Sequence, residues 1–533
     1  MVGMAGRISE GPVARQRKRC FPQVVALLFA IVTPLASWSA TPDILLPEPF
    51  AVELSAGTTR LAPDDASVQQ LLSGVQASGD RVSVTFPRDT IGPGAWRVIL
   101  SAWAAGVRDR PATRREAVLV VLPHGMTPVA NTGYASTPHI VRDADGFVHM
   151  VWTDAWRAGT REGAMYRRGI VLPDGTVRFD TDILDLGHNR GNWTAMPVLT
   201  AVGHTIHFAW QADGTVRYRS LTRAGGEWQW SAEVDTKAPA LSREQGPAIA
   251  ADADTVSILS SDGHYLASRD GGRNWPKEIV PFGAYRRLGT VSLAVDGSGR
   301  PLAAASALIS EPGAASGIRW TQRLARRIGA GAWQALPGPI DGRAECTTQT
   351  RPEGDVVCDG FRVLEDPAGA LHAVFLGAPA GGSDFAVQAY YAWQPSGGEW
   401  TPPTPLLKPD PVHGLGRSIA IDLLLDHDAA VLLTGFELHA GWRYRGDDAQ
   451  LELFRDGAMR APALPVTSFI RNAMTQSEPA AALSASALSL APTLFHTPDG
   501  RIWADVLMIL NPSAIAAPGV VVWQRLDVTG WLR

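Results

Sequence analysis

After Thr132 the chain repeats one unit: a short apolar strand, a turn built on Asp or Gly, a second apolar strand, a polar third strand, and a turn that ends in Trp. The unit is first seen in Pro138-His139-Ile140-Val141-Arg142-Asp143, the turn Asp143-Ala144-Asp145-Gly146, and the apolar run 147–152. Inner strands then begin again near Pro197, Pro247, Val291, Phe361, Ser418 and Pro492, with second strands at 205–210, 370–375 and 501–506 among them. No single unit of this kind can bury both faces of its sheet, so the units must stack on one another. Repetition at this length predicts the radial form of that stacking, a β-propeller. Counting inner strands predicts seven blades. Their spacing, roughly 44 to 74 residues, leaves six blades with one segment misread as the alternative.

Composition agrees. The chain has 53 Gly, 39 Pro and 18 Trp, and it lacks long stretches with a 3.6-residue apolar period, as expected of an all-β protein of short strands joined by turns. At 533 residues and 45% hydrophobic composition it can bury a large core and hold more than one domain. A net charge of -4, with no basic block beyond the first twenty residues, leaves no footprint for nucleic acid. The basic run 15–19, the apolar run 24–35 and the small residues Ser37 and Ser39 before Ala40 read as a secretory signal, with an uncleaved anchor as the alternative. The expected division is a signal peptide at 1–40, a small Ig-like β-sandwich at 41–125 and the propeller at 130–533. Export places the mature protein outside the cell or in the periplasm, with no membrane span left after signal removal. In that compartment Cys346 and Cys358 are expected to pair as a local disulfide, two buried thiols being the alternative.

The turn before the fourth strand is regular, leading to Trp228, Trp275, Trp333 and Trp400, each expected to wedge between neighbouring sheets. One of these turns, Ser268-Arg269-Asp270-Gly271-Gly272-Arg273-Asn274-Trp275, resembles the Asp box, or BNR repeat, of the sialidase-like propellers, departing from it at Asn274 where Thr is usual. The resemblance implies a structural hairpin on the outside of a blade. It also implies a functional face built by loops leading into inner strands and joining second to third strands.

Arginines recur on that face: Arg190, Arg243, Arg286 and Arg287, Arg362 and Arg417. Converging guanidinium groups hold carboxylates or sulfates by paired hydrogen bonds, so the expected partner is an acidic oligo- or polysaccharide, gripped by Arg190, Arg243, Arg287 and Arg417. The likeness to sialidases implies a Tyr/Glu pair, for which Tyr285 and Glu244 are candidates. However, Ser136-Thr137-Pro138-His139 stands where the Arg-Ile-Pro signature of that family belongs. A second chemistry, β-elimination on a uronic acid, needs a base, an acid and a cation, and His139 and His188 are its candidates. Asp154 and Trp156 offer a polar group and an aromatic face for a sugar ring. His149, His207 and His372 recur at one position of the second strand and read as structural. No metal site and no cofactor is called for. Glycan cleavage, by hydrolysis or by lyase elimination, stands beside a non-catalytic glycan-binding or protein-interaction propeller at the cell envelope as the alternative.

Overall fold

The computed structural model describes the backbone of 50–56, 59–60, 75–78, 81–84, 94–102 and 113–121. From 126 onward it describes everything except 133–134, 155–162, 173–174, 176, 189–194, 241–245, 311–317, 340–359, 378–387, 407–415, 441–442, 467–482 and 513–518. Side chains are described from 126, save those of strand residues 131, 188, 318–319, 416–420, 436–440, 443–448, 483–489, 510–512 and 519–520.

The first part contains an antiparallel sheet in the order Thr59–Arg60, Phe50–Ala56, Gly94–Ala102, Thr113–Val121, and a hairpin of Val75–Ser78 with Arg81–Val84. The rest is a seven-bladed β-propeller. Inner strands Ala135–Arg142, Val198–Val202, Ala248–Ala251, Arg287–Val295, Phe361–Glu365, Gly416–Asp426 and Leu483–His496 each open a sheet of four or five antiparallel strands. Each inner strand contacts the next, and the last contacts the first, so the ring is closed. Closure is shared between the two ends of the chain. The seventh blade takes three strands from the C-terminal end, and its outermost strand is Met126–Thr132, paired to Gly519–Asp527.

Among the described residues apolar clusters lie at the seven seams between blades, one at each. They arise from the period-two alternation of the strands, which sends alternate side chains to the two faces of each sheet. In blade 6, for example, Val431, Leu433, Leu451 and Leu453 face blade 7, while Ala430, Leu432 and Phe454 face blade 5. The tryptophans after the third-strand turns extend four of these seams outward. Trp228 packs on His149 of blade 1, Trp275 on Tyr218 of blade 2 at 4.8 Å between ring centroids, and Trp333 on Tyr265 of blade 3 at 5.1 Å. Trp400 of blade 5 donates to the Pro337 carbonyl at 2.9 Å.

The hairpin 268–275 is tied by its own side chains. Ser268 Oγ donates to Asp270 Oδ1 at 2.8 Å, and the same carboxylate accepts from the backbone of Arg273 and Asn274 and from Asn274 Nδ2. Gly272, at φ 87°, lies against the Tyr218 ring where a Cβ would collide. The repeated histidines are buried within their blades. His149 Nδ1 meets Tyr166 OH at 2.9 Å and its Nε2 faces Asp143, and His372 is held in the same way by Tyr391 and Asp366. These Asp-His-Tyr groups lock the first hairpin to the third strand. Burial holds both rings below their ordinary pKa, against the pull of the neighbouring carboxylates.

Candidate functional site

Antiparallel order puts two kinds of connection at one end of the ring: those leading into inner strands and those joining second to third strands. The first hairpins, which turn within a few residues, lie at the other end. Most of the segments outside the described residues join strand ends of the first kind. Glu244, Arg190, Arg243, Trp156 and the pair Cys346 and Cys358 fall in such segments, outside the described residues.

What the described residues supply near the axis is a set of ionisable side chains from three blades. His139, Arg362 and Asp422 occupy one position of the repeat, four residues before Asp143, Asp366 and Asp426, which open the first hairpins of blades 1, 5 and 6. Each pairs across its sheet with a second-strand residue, Val151, Val374 and Leu433 respectively. Arg362 Nη1 donates to the Val291 carbonyl of blade 4 at 2.8 Å, and its Nε lies 3.9 Å from Asp422 Oδ1 of blade 6. Arg362 therefore bridges three inner strands inside the channel.

Its field also reaches His139. Burial, and then the Arg362 charge, lower the His139 pKa to about 4, so the ring is neutral at neutral pH. Blades 6 and 7 separate blade 5 from blade 1 around the ring, so the interaction runs across the channel. Asp422 is moved the other way: burial raises its pKa from the ordinary value although Arg362 opposes the change. All three side chains retain some contact with solvent. Water therefore touches these groups without filling their surroundings.

Backbone geometry aims the histidine. The inner strand of blade 1 has a bulge between Ser136 and His139, and Thr137 stands at φ 48° just before Pro138. A β-branched residue in that region is a conformational outlier, held by its surroundings.

The other candidates are distributed around the ring. Tyr285 is exposed and donates to the Asp262 carbonyl at 3.1 Å, joining the lead-in of blade 4 to a turn of blade 3. Arg287 is exposed at the start of the blade 4 inner strand, with its guanidinium 5.3 Å above the Trp320 ring. Asp154 is buried at the end of the second strand of blade 1. His188 ends an outer strand opposite Gly163, and Arg417 lies opposite Glu437 in register, their side chains being outside the described residues. Of the sequence candidates, His139 and Arg362 share one position of the repeat, and the Arg362 charge acts on His139. Asp422, which completes the ring, was missed, yet counting back four residues from each hairpin Asp finds it. Among the described residues no group of three His, Cys, Asp or Glu side chains is placed to hold a metal ion, and no helix is long and apolar enough to cross a membrane.

The fold and these residues define a seven-bladed propeller with ionisable groups on its inner strands. No family model and no curated protein matches the chain. Similar solved structures include a protein of unknown function from Dyadobacter fermentans, 15% identical over 76% of this chain and 99% of that one, with a TM-score of 0.40. An ulvan lyase of polysaccharide lyase family PL25, bound to -[GlcA(1-4)Rha3S]-, is 10% identical over 75% of this chain and 95% of that one, with a TM-score of 0.44. The intramolecular trans-sialidase from Ruminococcus gnavus is 10% identical over 75% and 96%, with a TM-score of 0.36. At these TM-scores none of them bears on chemistry in this chain.

Proposed function

We propose that this protein is a secreted or periplasmic carbohydrate-active propeller of the sialidase-like, Asp-box kind, preceded by a small β-sandwich, and that it cleaves an acidic polysaccharide by β-elimination at the axial ring. The observation that carries the reading is that His139, Arg362 and Asp422 share one position of the repeat, with Arg362 3.9 Å from Asp422 and its charge acting on His139.

Elimination on a uronic acid needs three things at one centre, and the ring offers each. Arg362 is the cation for the sugar carboxylate, and its binding acidifies the neighbouring C5 proton. The neutral His139 ring accepts that proton. A carboxylate seated on Arg362 also cancels part of the positive field that depresses His139, so the base strengthens when substrate arrives. The electron pair of the C5–H bond forms the C4=C5 double bond, the C4–O bond breaks, and Asp422, held toward its protonated form, supplies the proton to the leaving oxygen. Sialidase-like hydrolysis by the Tyr285 and Glu244 pair finds less support, since Tyr285 is engaged with the Asp262 carbonyl and Glu244 lies outside the described residues. On the same reading Arg287, with Arg190, Arg243 and Arg417, extends anion binding outward along the polymer, and a Cys346–Cys358 disulfide stiffens one wall.

The test is incubation of the mature protein with a panel of uronate-containing and sulfated glycans, following reducing ends and the ultraviolet absorbance of the unsaturated product together. Both signals rising, and both lost in His139→Ala, is the expected result. Reducing ends without the absorbance would replace elimination by hydrolysis. Binding without either signal would make the protein a glycan-binding module.

A further inference from the structure

Thr153 lies in the second strand of blade 1, fully buried, and its hydroxyl serves two lead-in segments at once. It shares a 2.8 Å hydrogen bond with Thr137 Oγ1, and it accepts from the Met196 backbone N–H at 3.0 Å. Thr137 and Met196 are equivalent residues. Each stands immediately before a proline, Pro138 within the inner strand of blade 1 and Pro197 just ahead of that of blade 2, and each has a positive φ, 48° and 44°. Neither Thr nor Met adopts that conformation readily, and a residue before proline has still less freedom. Something outside the segment must hold it there.

The register shows what depends on that hold. Ser136 pairs with Thr153 and His139 with Val151, so three steps of the inner strand span two of its neighbour. The extra residue is the bulge, and bulges turn the side chains that follow them. Without it, His139 would point to the other face of its sheet. The linkage continues into the next blades: Gln211 N donates to the Ala195 carbonyl at 2.7 Å, and Gly246, in the lead-in of blade 3, lies so close to Met196 that a Cβ would stand 3.0 Å from its carbonyl oxygen.

We propose that Thr153 is a positioning residue of the axial ring: its hydroxyl ties the strained lead-ins of blades 1 and 2 together and so fixes where His139 points. The proposal rests on His139 acting in the ring as described above. Valine has nearly the same shape but can make neither hydrogen bond, whereas serine keeps both.

The experiment compares Thr153→Val and Thr153→Ser with the wild type by two readouts. One is the NMR titration of the His139 ring in isotopically labelled protein, assigned by its loss in His139→Gln. The other is affinity for tri-galacturonate. In Thr153→Val the ring gains water, so its titration midpoint is expected to rise by about one pH unit, and binding to weaken roughly fivefold. Thr153→Ser restores both. An unchanged midpoint in Thr153→Val would overturn the proposal. If His139→Gln itself binds tri-galacturonate as the wild type does, the sugar-site reading fails, while the titration still decides the role of Thr153. Should Thr153→Val not fold, Thr137→Gly tolerates the positive φ but lacks the hydroxyl. The same rise is expected there, and its absence overturns the proposal.

Discussion

Glu452 provides a pH-dependent test of the seam between blades 5 and 6. Its carboxyl is 1% exposed on the face that carries Leu432 and Phe454, opposite Val374, Ala389 and Tyr391. Neutral groups are its hydrogen-bond partners: Gln450 Nε2 donates to Oε1 at 2.9 Å and Thr434 Oγ1 at 3.4 Å, while Oε2 has no partner among the described residues. Burial raises its pKa from 4.5 to about 7. The folded protein therefore keeps this proton between those values, where the unfolded chain releases it. The contribution to stability is full below about pH 4.5, declines through the window up to pH 7, and levels off above it. The span corresponds to roughly 3 kcal/mol. Glu452→Gln preserves the shape and the Gln450 contact but cannot ionise. Thermal unfolding should find variant and wild type within about 1 kcal/mol at pH 5, and the variant more stable by up to about 3 kcal/mol at pH 8.5. For a chain of this size that is roughly 3 to 6 °C in Tm. An equal difference in Tm at both pH values would refute the reasoning, because it would mean the carboxyl is neutral or well solvated throughout.

Other parts of the fold make independent tests. Gly272→Ala places a Cβ against the Tyr218 ring at a positive φ, and should cost roughly 2–4 kcal/mol in thermal unfolding. Arg142→Ala removes the guanidinium 2.5 Å from the fully buried Asp505, across the seam that closes the ring, and should cost about 3–5 kcal/mol. Adding Asp505→Asn to that variant should recover part of the loss, and calorimetry of the four proteins measures the coupling. Deleting the strand Met126–Thr132 exposes the edge of Gly519–Asp527 and should lower Tm more than any single substitution named here, as followed by circular dichroism.

The sequence made the inner strands visible because their edges are punctuated. Pro138, Pro197, Phe361 and Pro492 begin or enter apolar runs that a hairpin Asp or Gly then ends, and each belongs to an inner strand or the residues just before it. The wedge tryptophans were legible for the same reason, since Gly-rich turns precede them. The closing strand was not, because Met126–Thr132 looks like any other strand and its partner lies nearly four hundred residues later. The axial ring was half legible. His139 and Arg362 stand out by residue type, but nothing local says that two residues over two hundred positions apart share a channel. Asp422 lies in an apolar run, Ile421-Asp422-Leu423-Leu424-Leu425, where local reading gives it no distinguishing neighbour. The bulge before His139 was invisible, because it lies in the register with the second strand and in backbone angles that no residue pattern marks.

Whether Arg362 holds an acidic sugar is decided by calorimetric titration of tri-galacturonate into the wild type and Arg362→Ala. Affinity should fall at least about tenfold in the variant, the loss of a charge-assisted contact, and the wild-type affinity should weaken with added salt. Equal affinity in the two proteins would contradict the claim and move the site away from the axis.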